Sequence, residues 1–241
     1  TRGAANRVFL RITWSTTMIT LPTPIGVESL ASLECECLAI HSNSAHEFTV
    51  YLDFGQISIL SCSSVESSLS QLQAQPVNNR LSFSGWVGFF GYEFLAANLG
   101  LSLHANRDLK VPDGWFGRPS TIVRISDQGT TIESTDPARE EEIEKRVSRS
   151  PSLKISDVSF PGKSLGCNLN FHHVETIFNQ AKQAILDGET YQIKISQRFE
   201  AESKVGPLLA FAKLYQANPA PEAFLLQTPD FSLVSCSPEV V

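Results

Sequence analysis

The segment Gly85-Trp86-Val87-Gly88-Phe89-Phe90-Gly91-Tyr92-Glu93 restricts the fold more than any other part of the chain. Its aromatic side chains demand burial, while glycines at 85, 88 and 91 leave no Cβ to hold neighbouring backbones apart. Glycine inside a strand weakens it and marks a bulge or a close backbone approach. The segment therefore reads either as a tightly packed crossing of chain segments in a core or as backbone against which a ligand lies. It is not a dinucleotide fingerprint, because no helix start with a phosphate-facing turn is predicted after it. With 241 residues, 42% of them hydrophobic, the chain has enough apolar mass for such a core. Its 18% charged residues fall below the ~25% of average globular proteins, which excludes a disordered chain.

The remaining pattern alternates short strands with short helices. Met18–Leu21 and Cys35–His41 read as strands. Phe48, Val50 and Leu52 alternate with Thr49, Tyr51 and Asp53, and Gly55 predicts a turn, so Glu47–Ser61 reads as a hairpin. Val65, Leu69 and Leu72 predict a short helix. Thr121–Ile125 and Thr130–Ser134 flank Asp127-Gln128-Gly129 as a second hairpin. Asp136-Pro137 opens a helix as N-cap and first residue, and the mixed charges of Arg139–Arg146 predict a solvated face. A Pro- and Ser-rich stretch follows, and the boundary is expected near residue 165. Beyond it, Val174, Ile177, Phe178, Ala181, Ala184 and Ile185 form one helical face that stops at Gly188. Tyr191–Glu200 reads as a strand with a polar side carrying Lys194, Ser196 and Arg198. A helix from Pro207 and a strand pair around Pro229-Asp230 complete the chain.

Charge and cysteine content narrow the function classes. The net charge of −6 and a pI near 5.4 exclude a generally basic nucleic-acid binder. No run approaches the ~18 apolar residues that span a bilayer. The five cysteines have no framework spacing, and Cys35-Glu36-Cys37 on a strand would point both thiols to one face. Buried free thiols in a reducing compartment, the cytoplasm, are the simplest reading. Residues 1–17 carry Arg2, Arg7 and Arg11 but no acid and precede the only methionine, Met18. They are expected to be an upstream extension, and the end at Val241, straight after a strand pattern, is expected to be a cut.

Few residues offer chemistry. Phosphate-loop, zinc-protease and nucleophile-elbow motifs are absent from the sequence. His172 and His173 are adjacent, which does not suit a helix-borne metal pair. The polar side of Gln192–Glu200 reads as a solvent-facing strand side or as a grip for a carboxylate-bearing ligand. Ser237-Pro238-Glu239 sets a carboxylate beyond an apolar strand. Glu239 reads as a plain surface acid or, with partial burial raising its pKa, as an acid–base group.

Taken in order, G-W-V-G-F-F-G-Y-E at 85–93, A-I-L-D-G-E-T-Y-Q-I-K-I-S-Q-R-F at 184–199, N-P-A-P at 218–221 and S-C-S-P-E at 235–239 resemble the chorismate-utilising synthases. These are the large subunits of anthranilate synthase and aminodeoxychorismate synthase. The resemblance runs from about Met18 to the last residue. Tyr191, A-I-H-S at 39–42 and the S-C-S-P-E string look closer to the aminodeoxychorismate branch. The alternatives are the anthranilate branch, an isochorismate- or salicylate-forming enzyme, and a non-catalytic tryptophan-binding fragment.

The resemblance implies an α+β fold, an antiparallel β-sandwich flanked by helices, of which this chain is the truncated first half. Residues 18–165 would form the N-terminal region and 166–241 the start of the chorismate-binding domain. It implies replacement of the 4-hydroxyl of chorismate by ammonia from a partner glutamine amidotransferase, with Mg²⁺ ligands beyond the end of the chain. Glu239 matches the family's active-site glutamate. A tryptophan pocket would involve Ser42, Glu47, Phe48, Pro221, Glu222 and Ala223. Only Phe48 is kept from the family's Ser-Arg-Phe segment, and the loop after Pro221 looks one residue short, which both weigh against tryptophan. Neither nucleic acid nor membrane is an expected partner. The isolated chain is expected to fold poorly and to lack synthase activity.

Overall fold

The structure is a computed structural model and describes residues 18–21, 25–33, 35–44, 46–73, 80–103, 107–149 and 162–236. The extension at 1–17, most of the linker-like stretch and Glu239 lie outside the described residues. Two compact units are formed, one by Thr1–Ile155 with Pro207–Val241 and one by Ser156–Gly206. The boundary expected near residue 165 falls within the second unit.

In the first unit, β1 (Ile19–Leu21) precedes a 3₁₀ turn at Val27–Ser32, β2 (Leu38–Ser44) and β3 (Glu47–Leu60). Then come α1 (Val65–Ser70), β4 (Val87–Phe90), α2 (Tyr92–Asn98), β5 (Gly114–Ser126), β6 (Gly129–Ser134) and α3 (Pro137–Arg149). The second unit contains β7 (Gly162–Cys167), α4 (Phe171–Leu186) and β8 (Phe199–Ser203). The chain then returns to the first unit with α5 (Pro207–Ala217), β9 (Phe224–Gln227) and β10 (Ser232–Ser235).

One antiparallel sheet runs β1-β6-β5-β3-β2-β9-β10, with β4 also paired to β5. The α+β class and antiparallel pairing agree with the sequence reading. Alternation sends Leu38, Ile40, Val50, Leu52 and Val123 to one face, where Ile143 and Val147 of α3 and Phe211 of α5 cover them. The other face carries a thinner cluster around Cys37, Ala39, Trp115 and Leu226.

Several sequence expectations are corrected. Gly55 does not turn the chain. β3 continues through it, and the register steps from Phe54↔Pro119 to Gln56↔Arg118, so Gly55 is the extra residue of a bulge. Pro119, which has no amide to donate, sits where the ladder is already interrupted. Cys35 and Cys37 precede β2 instead of lying on it. Cys35 packs against the larger cluster and Cys37 belongs to the other, so the two thiols do not share a face. The face of α3 is not wholly solvated. Arg139 reaches Asp53 and buried Glu140 accepts the Ser134 amide at 2.7 Å. Asp136 does cap this helix, accepting the Ala138 amide at 2.9 Å.

A helix, α2, does follow Gly91, although it has only seven residues. In the second unit the strand expected over Tyr191–Glu200 begins only at Phe199. β7 pairs with Phe199–Ser203 and leaves 191–198 without a ladder partner among the described residues. The preceding helix appears as predicted, with the Asn170 side chain accepting the His173 amide at 2.9 Å and Gly188 at φ 75°.

Candidate functional site

The aromatic–glycine segment is a close crossing of two strands. A Cβ on Gly88 would collide with the Trp115 carbonyl oxygen, and the Gly91 amide donates to Asp113 O at 2.7 Å. Large residues here would force β4 away from β5. The same crossing leaves a cavity of about 400 Å³ on the thinner face of the sheet, lined in part by His41, Tyr51, Phe83, Trp86, Gly88 and Phe224. The packed-crossing reading is thus met at Gly88, and the same glycine lines the cavity.

The cavity walls are held from outside. Tyr51 and Phe83 meet edge to face with centroids 5.6 Å apart. The Ser82 amide donates to Glu133 Oε2 at 2.7 Å, Arg124 donates to Ser82 Oγ at 2.6 Å, and Arg118 donates to Ser84 O at 3.1 Å. These bonds anchor the stretch that carries Phe83 and Trp86. Burial pushes the Tyr51 hydroxyl up, with Arg124 opposing, so it stays protonated at neutral pH. The Trp86 indole nitrogen is buried with no partner among the described residues.

Because side chains alternate, His41 faces this cavity while Ser42 faces the helix-covered side. His41 Nε2 lies 3.1 Å from Glu222 Oε2, and Nδ1 lies 3.1 Å from Asn43 Oδ1. Asn43 is itself oriented by a 2.8 Å bond to Thr49 Oγ1. Ser42 is fully buried. Its amide donates to Ala223 O at 2.9 Å, its hydroxyl donates to Ser44 O at 3.0 Å, and Tyr215 Oη lies 3.3 Å away. Phe48, opposite Ser42 in the β2–β3 ladder, packs edge to face on Tyr215 at 4.9 Å.

Of the residues singled out for tryptophan, Ser42, Phe48, Glu222 and Ala223 therefore gather at one end of β2. Exposed Pro221 is in the adjoining turn, and Glu47 points outward, accepting from Ser44 Oγ at 3.0 Å. Sequence reasoning did not single out Tyr51, Phe83, Trp86 or Tyr215 as site residues. Tyr51 and His41 had a signal in the period-two pattern and Trp86 in the glycine–aromatic segment; Phe83, outside any regular element, had none.

Chemically, this cavity combines aromatic and polar lining. Its aromatic walls suit a planar or apolar body, the indole N–H a hydrogen-bond acceptor, and the His41–Glu222 pair a polar end. Among the described residues no group of three or more His, Cys, Asp or Glu is arranged to hold a metal ion. No described helix is long and apolar enough to cross a membrane.

Comparison with known proteins bears on this geometry. An aminodeoxychorismate synthase of Streptomyces pristinaespiralis is 26% identical over 172 residues, covering 64% of this chain and 24% of the relative. An anthranilate synthase component I-like protein of Synechocystis is 28% identical over 159 residues, covering 64% and 33%. The solved anthranilate synthase component I of Streptococcus pneumoniae superposes with a TM-score of 0.54 at 18% identity, over 99% of this chain and 52% of that one. The chain thus spans a quarter to a third of these two curated relatives and about half of the solved one. That superposition shows the fold. Residues 39–241 match the chorismate binding enzyme family, and this chain belongs to that family.

Proposed function

We propose that the protein carrying this sequence acts as the large subunit of an aminodeoxychorismate synthase. It would convert chorismate and ammonia to 4-amino-4-deoxychorismate, the precursor of para-aminobenzoate and folate. The C4–O bond of chorismate breaks, a C4–N bond forms, and the hydroxyl leaves as water. Ammonia would come from glutamine through a partner amidotransferase. Glu239 would act as the acid–base group at the departing or entering substituent, its pKa raised by the substrate's own negative charges. Mg²⁺ would neutralise substrate carboxylates, although no described residue can be assigned to it. The cytoplasm is the compartment in keeping with free thiols.

The observation that carries this reading is the fixed order of motifs, from G-W-V-G-F-F-G-Y-E to S-C-S-P-E, within a chain matched to the family over residues 39–241. His41 in A-I-H-S supports the branch. A second reading, anthranilate synthesis, is favoured by the likeness to the anthranilate synthase component I-like protein of Synechocystis. In either branch a tryptophan, if bound, would lie at the end of β2 where Ser42, Phe48, Glu222 and Ala223 gather, with the departures from the family's Ser-Arg-Phe segment and the short loop after Pro221 weighing against it.

Glu239→Gln tests the assignment. With chorismate, ammonium and Mg²⁺ supplied, turnover should fall by about 10²–10⁴-fold while chorismate still binds. Unchanged turnover in the Gln variant would remove Glu239 from the chemistry. Heat on titration with tryptophan, lost in Ser42→Trp, would support the pocket; no heat with the parent protein would refute it.

A further inference from the structure

We infer that the cavity on the thinner face of the sheet binds a neutral planar aromatic molecule through a hydrogen-bond acceptor placed on the Trp86 indole N–H. Its volume of about 400 Å³ lies within the range of small-molecule sites and leaves room for a fused bicyclic ring. β2, β3, β4, β9 and β10 each contribute to its walls.

The unpaired donor decides the class of ligand. Trp86 Nε1 is buried, and no described residue accepts from it. Buried N–H groups are normally paired, and one left unpaired loses its hydration with nothing in return. A water molecule is a poor substitute, because an ordered buried water needs roughly three polar partners. Of the described lining residues, only His41, Tyr51 and Trp86 carry polar side-chain atoms. Both ring nitrogens of His41 are already engaged, by Glu222 and Asn43 at 3.1 Å each. An acceptor on an otherwise apolar ring satisfies the indole while the body of the ring rests on the walls. Tyr51 and Phe83, edge to face at 5.6 Å, together with Phe89 and Phe224, supply the aromatic surface that such a ring packs against.

Charge narrows the class further. Neither Lys nor Arg is among the described lining residues, and the Glu222 carboxylate stands behind His41. A carboxylate buried there would have no cation to pair with, which is costly. Dianionic chorismate and zwitterionic tryptophan are therefore poor ligands for this cavity. Ser42 and Phe48 lie toward the opposite face of the sheet, and the inference does not rest on the synthase reading.

Titration of the protein carrying this sequence with quinoline, naphthalene, benzoate and tryptophan, followed by ¹⁵N–¹H NMR, tests it. The chain has three tryptophans, and Trp86→Phe identifies the Trp86 indole resonance by its loss. Quinoline should move that resonance downfield and bind roughly tenfold tighter than naphthalene, the gain from about one hydrogen bond. Benzoate and tryptophan should leave the resonance in place. Trp86→Phe keeps an aromatic wall but removes the donor, so quinoline and naphthalene should then bind alike. Leu233→Phe narrows the cavity without removing the donor and should weaken quinoline roughly threefold or more with unchanged circular dichroism. Equal binding of quinoline and naphthalene to the parent protein, which needs no variant to measure, would overturn the proposal. So would an unmoved Trp86 resonance, a preference for benzoate or tryptophan, or indifference to Leu233→Phe.

Discussion

Asp53 holds a backbone conformation, φ 54°, that few residues other than glycine adopt readily. Its carboxylate accepts two hydrogen bonds of 3.0 Å from Arg139, which also donates to Glu142 at 2.8 Å. These bonds tie α3 to the bulged part of β3. Arg139→Leu leaves Asp53 without its cation, and should lower unfolding free energy by about 1.5–3 kcal/mol, read from urea denaturation. An unchanged midpoint would show the pair to be solvated and idle. The hydrogen bond from Arg139 holds the Glu142 carboxyl below its usual range. A depressed folded-state pKa contributes stability above the unfolded value, and that contribution is lost as pH falls through the folded value. The urea midpoint should therefore drop below about pH 4, and less so in Glu142→Gln; identical acid profiles would exclude this contribution. Asp136 as a cap was legible because capping is local. The Asp53–Arg139 contact joins residues far apart in sequence, so charge patterning alone read Arg139 as a surface residue. Burial also pushes the Cys35, Cys37 and Cys236 thiols up, in keeping with inert cysteines.

Among the elements, β4 depends most directly on its glycines. Gly88→Ala sets a methyl group against the Trp115 carbonyl oxygen, a backbone atom that cannot rotate away. The substitution should cost about 1–3 kcal/mol as overpacking, seen as a lower calorimetric Tm. It should also narrow the cavity beside Trp86. An unaltered Tm would mean that β4 and β5 do not pack this closely. The glycine–aromatic composition disclosed this crossing in advance. Elements with a strong local period were legible too: α4, α5 and the β5–β6 hairpin appear where periodicity and turn residues put them. β3 was misread because glycine marks both turns and bulges, and only pairing with Pro119 and Arg118 separates them. Residues 191–198 were misread for the converse reason. Alternation describes a strand's faces, but a strand exists only where a neighbour receives its hydrogen bonds.

At the scale of the molecule, the sheet and its covering helices give the antiparallel α+β architecture, and ordered motifs give the family. Composition and periodicity alone would have stopped at the fold class. Ser42, Phe48 and Glu222 came from the resemblance but do not line the candidate cavity, which was legible only through the Trp86–Gly88 segment. The cavity's aromatic wall depends on Phe83 and Trp86, whose segment is held in place by Arg118, Arg124 and Glu133 from β5 and β6. The most direct test of the family chemistry follows the nitrogen atom. The protein carrying this sequence is incubated with chorismate, Mg²⁺ and ¹⁵N-ammonium, and the product is analysed by NMR. Nitrogen bonded to carbon 4, with loss of the 4-hydroxyl as water, is the predicted result; nitrogen at carbon 2, or chorismate left unlabelled and unconsumed, would contradict it.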